Sequence, residues 1–170
     1  MKAVSVSAPV LARFAQAATR GVGLGNNYVG FDDYVLALTA PGRPRMPNGI
    51  ETTARLGRGA EAWLGGGVLE IGGAVVEPGP SWNPVPSVVR RPPGGVPLRP
   101  DLDLLVGRGP GLTPAGDDVL AGYVAGLVLF WGLEDQAAAI ARGTAGRTTL
   151  LSVTLIAHAS RGELPEPAHA

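Results

Sequence analysis

The stretch AWLGGGVLEIGGAVVE, Ala62 to Glu77, carries the reading of the N-terminal half. Two short apolar runs, near Val68 to Ile71 and Ala74 to Glu77, are separated by Gly72-Gly73. A Gly-Gly pair between strand-length runs is a hairpin signal, because tight hairpin turns need positive φ at both central residues. Working outward, YVGFDDYVLALTA has a strand-like run from Tyr34 to Thr39, broken by Pro41 and Gly42, with Asp32-Asp33 as a turn before it. PNGIETTARL then carries an Asn48-Gly49 turn signal. Short strands at this spacing predict a small barrel or sandwich from Asn27 to Glu77.

Downstream, eight of the 16 prolines lie between Pro78 and Pro100. No helix or central strand tolerates that density. This region is expected to be a linker or, better, an extended strap pinned by Trp82 and Val88-Val89. From Asp101 the periodicity turns helical, with helices expected at about Asp117–Trp131, Glu134–Arg142 and Thr148–Ser160. The last is rich in β-branched residues and reads equally as a strand. Gly162 just beyond Arg161 is a helix stop and favours helix. The expected architecture is α+β: a β-rich region over 1–77, a Pro-rich strap over 78–100, and a helical region over 101–170. The β-rich half packs on the helical half.

Composition removes much chemistry. The chain has 170 residues, 45% of them hydrophobic, with mean hydropathy +0.19, which is enough for a core despite 26 Gly. The 14 basic and 14 acidic residues cancel, so no electrostatic footprint for nucleic acid or an anionic membrane is expected. Lys2 is the only lysine, which disfavours Schiff-base chemistry and a P-loop lysine. Cysteine is absent, so thiol nucleophiles and Cys-ligated metals are excluded. With only His158 and His169, a multi-His zinc site is not expected, and His158 on its apolar segment reads as a satisfied, semi-buried side chain. The N-terminus lacks a signal-peptide run, and the uncharged run Val119 to Leu133 is too short to cross a bilayer. A soluble, cytoplasmic protein is the expectation. Carboxylates, guanidiniums, hydroxyls and backbone amides are left for chemistry.

They concentrate in GRGPGLTPAGDDVLAG, Gly107 to Gly122. Gly107, Gly109 and Gly111 alternate, which lets the backbone approach a ligand and aim N–H groups at an anion before a helix. The spacing is neither a Rossmann fingerprint nor a Walker A loop. GVGLG, Gly21 to Gly25, has the same pattern, so the glycines alone decide little. Thr113-Pro114 reads as an N-cap and first helical residue. Asp117 and Asp118 then fall in the first turn, against the positive end of the helix dipole. Adjacent helical residues point about 100° apart, so one carboxylate enters a pocket while the other pairs with an arginine. Together they suit a divalent metal such as Mg on a phosphate, with Asp118 as ligand, or a general base and its orienter. In GRTTLLS, Gly146 to Ser152, Thr148 reads as a cap with Arg147 beside it, suited to a carboxylate or phosphate. Arg147 is equally a structural partner for Asp117 or Asp118. Gly122 and Gly126 form a GxxxG that usually marks close helix packing.

GPGLTPAGDDVLAG followed by GRTTLLSVTLIAHASRGELPEP resembles the bacterial AllH-like family, whose pattern is a GLTPxGDD element followed by an Arg-Thr-Thr element. PNGI, Pro47 to Ile50, in a β-rich N-terminal half is similar to that family too, and the likeness runs from about Tyr28 to Pro167. The resemblance implies a subunit of an oxamate carbamoyltransferase in allantoin breakdown. The implied reaction moves a carbamoyl group between oxalurate-like and phosphate acceptors. It carries over Asn48, Gly111, Thr113, Pro114, Gly116, Asp117, Asp118, Arg147, Thr148 and Thr149. With Gly109 from the loop reading, these imply a site where Asp117 and Asp118 do the chemistry. The others hold a small anionic substrate. Members of the family continue into further helices, which implies a site completed by partner subunits or a homo-oligomer. The alternatives are a non-catalytic ligand-binding or assembly subunit, and a truncated, inactive copy.

Overall fold

The computed structural model describes residues 1–87, 97 and 99–169. The fold is α+β, with a curled nine-stranded sheet in the N-terminal half and helices in the C-terminal half. The chain forms two compact units: Met1–Pro84 with Pro165–Ala170, and Val85–Leu164.

In the first unit the strands are β1 (Ser5–Ser7), β2 (Thr19–Gly25), β3 (Tyr28–Gly30), β4 (Val35–Thr39), β5 (Gly49–Glu51), β6 (Glu61–Gly65), β7 (Val68–Ile71), β8 (Ala74–Val76) and β9 (Ser81–Trp82). Their order is β8-β7-β6-β2-β3-β4-β5-β1-β9. The opening stretch holds three strands rather than two. Gly66-Gly67 turns β6 into β7 and Gly72-Gly73 turns β7 into β8, with φ of 59°, 90°, 54° and 80° at the four glycines. Positive φ at both central residues matches the right-handed twist of the flanking strands, which fixes the register at Leu64↔Leu69 and Leu69↔Val76. At one corner the chain before β1 runs alongside the chain leaving β8. Ala3 N–H donates to Glu77 O at 3.0 Å and Glu77 N–H to Met1 O at 2.8 Å.

One face of the sheet makes the core. Val6, Val29, Leu36, Leu38, Ile50, Leu64, Leu69 and Ile71 are buried there with Val10 and Phe14 of α1 (Ala8–Phe14). Ser7 caps α1 by accepting from Val10 N–H, and Val10 and Phe14 share a face because they are four residues apart. Ser-Ala-Pro followed by Val and Phe at that spacing was the available signal for a helix here. The turn at Asn48-Gly49 is present, closed by Gly49 N–H to Met46 O at 2.9 Å, and β5 begins at its second residue. In the expected strap, Ser81-Trp82 is the edge strand β9, parallel to β1. Trp82 lies under the Arg45 guanidinium, 4.8 Å from its ring centre. Val88-Val89 lie outside the described residues.

The second unit holds α2 (Leu102–Leu105), α3 (Ala115–Gly126), a π-helical turn over Leu127–Trp131, α4 (Glu134–Arg142) and α5 (Leu150–Ala159). The ambiguous third segment is therefore helical. It ends where Gly162 takes φ 74° and its N–H reaches Ala159 O. Leu120, Val124, Leu127, Ala137, Ile156 and Ala159 form the core of this unit. Gly122 and Gly126 do not mark a tight seam within it. Gly122 is exposed with open space where a side chain would go, and the nearest atoms at Gly126 are 3.8 Å away. The close approach comes instead at Gly116, where a Cβ would lie 2.1 Å from Leu105 O. Among the described residues no helix is long and apolar enough to cross a membrane.

Candidate functional site

The second unit brings the two motif elements together around one carboxylate. Asp117, in the first turn of α3, is 2% exposed. Its Oδ1 accepts from Gly107 N–H at 2.8 Å and its Oδ2 from the Thr148 hydroxyl at 2.5 Å. Thr149 makes a second tie: its Oγ1 donates to Leu112 O at 2.7 Å and accepts from Ser152 N–H at 3.1 Å. The loop Gly107–Thr113 is thus stitched at both ends to the starts of α3 and α5. The glycines fit the stitching. At Gly107 (φ 71°) a Cβ would lie 2.9 Å from Arg147 O, and at Gly109 (φ 118°) 2.9 Å from Ala115 N.

Both expected caps shift by one residue. Pro114 is the N-cap of α3, with no side-chain cap bond, and Thr113 lies outside it. Thr149, with φ −66° and ψ 149°, caps α5. Thr148 cannot cap because its hydroxyl is engaged with Asp117. Charge-assisted hydrogen bonds to a buried carboxylate are worth more than a neutral cap bond, and that decides the competition.

Arg147 is drawn to neither aspartate of the motif. Its Nη2 lies 2.5 Å from Asp103 Oδ1, in the first turn of α2. The Asp103 side chain is 87% exposed, so this pair contributes at most about 1 kcal/mol. Asp118 points outward and its carboxylate has no partner among the described residues. The N–H groups of Gly109, Gly111, Leu112 and Thr113 are also without acceptors there. Gly111 takes φ 99° with open space around it. What faces outward is a run of unpaired amides beside a helix start and one free carboxylate.

Of the two aspartates only Asp118 is open to the expected metal. The Asp117 oxygens already accept from Gly107 and Thr148, which leaves Asp118 alone. Among the described residues no group of three or more His, Asp or Glu is placed to hold an ion. Asn48 belongs to the first unit and is fully buried, its Nδ2 donating to Val35 O at 2.8 Å. A cavity of about 970 Å³ in the second unit lies elsewhere, with Val128, Leu129, Arg142, Val153 and Ala157 among its lining residues.

His158 is satisfied as expected but fully rather than partly buried, and sequence reasoning missed its neighbours. His158 is buried, and its Nδ1 lies 2.6 Å from Glu163 Oε2, which Arg161 also contacts at 2.9 Å. Burial raises the Glu163 pKa, but the hydrogen bonds from His158 and Arg161 and their charges outweigh it and hold the carboxyl below its usual range.

The segment that carries this geometry is also the one with a known counterpart. Residues 105–170 match the family model of the oxamate carbamoyltransferase subunit AllH. The AllH match takes in the glycine loop, both aspartates, the Arg-Thr-Thr element and the His158–Glu163 pair. Asn48 and the sheet lie outside it. No curated protein and no solved structure matches the chain.

Proposed function

We propose that this chain is a subunit of an oxamate carbamoyltransferase-type enzyme and binds a small anionic substrate at the loop Gly107–Thr113. The observation that carries the reading is the run of unpaired N–H groups at Gly109, Gly111, Leu112 and Thr113, next to the start of α3, inside the AllH-matched segment. Amides in a positive-φ loop at a helix N-terminus suit a carboxylate or phosphate, since the partial positive charges converge. The Thr113 hydroxyl, without a partner among the described residues, adds a donor.

The adjacent aspartates divide the work. Asp117 is a positioning residue: with Thr148 and Thr149 it holds the loop in shape. Asp118 is the one available to touch substrate, as general base or orienter when a phosphate oxygen attacks the carbamoyl carbon of an oxalurate-like donor, the C–N bond breaks and oxamate leaves with a proton on its nitrogen. Arg147 contributes a guanidinium at low cost, because a substrate anion competes with the exposed Asp103 carboxylate and one long hydrogen bond to Gly143 O. The family description names a subunit, so the working enzyme includes protein partners.

Phosphorolysis of oxalurate by the chain reconstituted with its partner subunits tests this. Asp118→Ala is expected to lower kcat by about a hundredfold or more while the melting temperature stays put. Full activity in that variant removes Asp118 from the mechanism. A second reading, an assembly subunit, is favoured by Leu104, Leu112 and Val119, which are 68%, 65% and 59% exposed on α2, the loop and α3. It predicts that Leu112→Asp abolishes association with the partners while Asp118→Ala leaves turnover intact.

A further inference from the structure

The sheet unit holds a feature that the loop reading does not use. Asn27, Tyr28, Thr39, Arg43, Met46 and Arg55 line a cavity of about 360 Å³ beside strands β3 and β4. Two arginines are among its lining residues, and no Asp or Glu is. Among the described residues neither makes an ion pair, whereas five other arginines do. Arg13, Arg20, Arg45, Arg147 and Arg161 each sit on an Asp or Glu. Arg55 is anchored by Nη1 alone, which donates to Thr52 O at 2.9 Å and Ala54 O at 2.8 Å, leaving Nε and Nη2 available. Arg43 has no side-chain partner among the described residues.

The two acids on the adjoining cavity form no ion pair with Arg43 among the described residues. Arg43 also borders a neighbouring cavity that contains Glu51 and Glu166. Glu51 accepts from the Ser5 hydroxyl at 2.8 Å and from Gly42 N–H at 2.7 Å. Glu166 accepts from Arg45 through backbone N–H, Nε and Nη2. Arg43 and Arg55 are both exposed on this cavity, and an oxyanion accepting from both matches their planar forks. The Asn27 carboxamide and Tyr28 hydroxyl, also without side-chain partners among the described residues, supply further hydrogen bonds. Leu38 and Met46 add apolar wall for a short carbon body.

We propose that this cavity is an anion site of the sheet unit, taking a small carboxylate or phosphate through Arg43 and Arg55, separate from the loop Gly107–Thr113.

The test is a titration of the isotope-labelled full chain with sodium phosphate and, separately, sodium oxalate, at constant ionic strength set by sodium chloride. Saturable amide and guanidinium shifts at Asn27, Arg43 and Arg55 are expected with at least one probe, and the probe that saturates names the class. Arg43→Gln and Arg55→Gln should each weaken that binding by roughly tenfold, the loss of one charged hydrogen-bonding group. The Lys variants should retain part of it, because charge persists but the fork is lost. Asp118→Ala should leave these shifts unchanged, which separates this site from the loop. The inference is overturned if both probes leave Arg43 and Arg55 unshifted. Unchanged affinity in the double Gln variant, with its melting temperature preserved, overturns it as well.

Discussion

Two segments of this molecule share one sequence pattern and have opposite structures. GVGLG, Gly21 to Gly25, lies in strand β2 in the interior of the sheet. GRGPG, Gly107 to Gly111, is a loop whose three glycines take φ of 71°, 118° and 99°. In the strand Gly21 and Gly23 are there for space, while Gly25 at its end takes φ 149° with open space around it. A Cβ at Gly21 would lie 2.6 Å from the Phe31 ring, and at Gly23 2.2 Å from Gly57 O. In the loop, Gly111 has open space and is needed for its backbone angle. Alternating glycine therefore has two physical meanings, close packing and left-handed backbone, and only the neighbours separate them. Val22 and Leu24 between the first set continue a strand. Arg108 and Pro110 between the second set cannot continue a regular element, because proline lacks the N–H.

The comparison is broken most severely at the clamp that shapes the loop. Asp117→Ala leaves Gly107 N–H and the Thr148 hydroxyl without their acceptor, and should cost about 4 kcal/mol for two hydrogen bonds to a buried charge. Urea denaturation measures it. A cost below about 1 kcal/mol would mean the loop holds its shape without the carboxylate. Next come the glycines themselves. Gly23→Ala should cost about 3 kcal/mol by overpacking against backbone, whereas Gly111→Ala should cost only about 1 kcal/mol of backbone strain. Equal costs would erase the distinction between the two glycine patterns.

Between these in size falls Glu163→Gln, which probes the helical unit away from the loop. At neutral pH it should cost about 2 kcal/mol, since Glu163 receives hydrogen bonds from His158 and Arg161. The folded carboxyl titrates below its ordinary value of 4.5. Its stabilisation is therefore present above 4.5 and is lost as pH falls through the lowered folded value. Stability curves of the two proteins should converge in acid, and a gap that persists there would assign the loss to packing.

The aspartate pair shows how far the sequence reading reached. That the two carboxylates diverge was legible from helical geometry, and one does turn in while the other turns out. Which one turns in was not legible. It depends on Gly107 and Thr148, which approach from the preceding loop and the start of α5. The cap assignments slipped for the same reason. Thr113 and Thr148 are good caps locally, but Thr148 is claimed by Asp117, and Thr149 takes over at α5.

By itself, the sequence determined what local forces set. Gly72-Gly73 dictated a hairpin, helical periodicity dictated α3 and α4, Gly162 tipped the ambiguous last segment toward α5, and the want of Cys, Lys and His left carboxylates and amides as the chemistry. Only the tertiary structure decided what those groups face. It buried Asp117 on two donors, paired Arg147 with Asp103, left Asp118 and the loop amides open, and collected Arg43 and Arg55 on one cavity. Hydrogen bonds and charge pairs across tens of residues depend on which elements the fold brings together, and no local pattern records that.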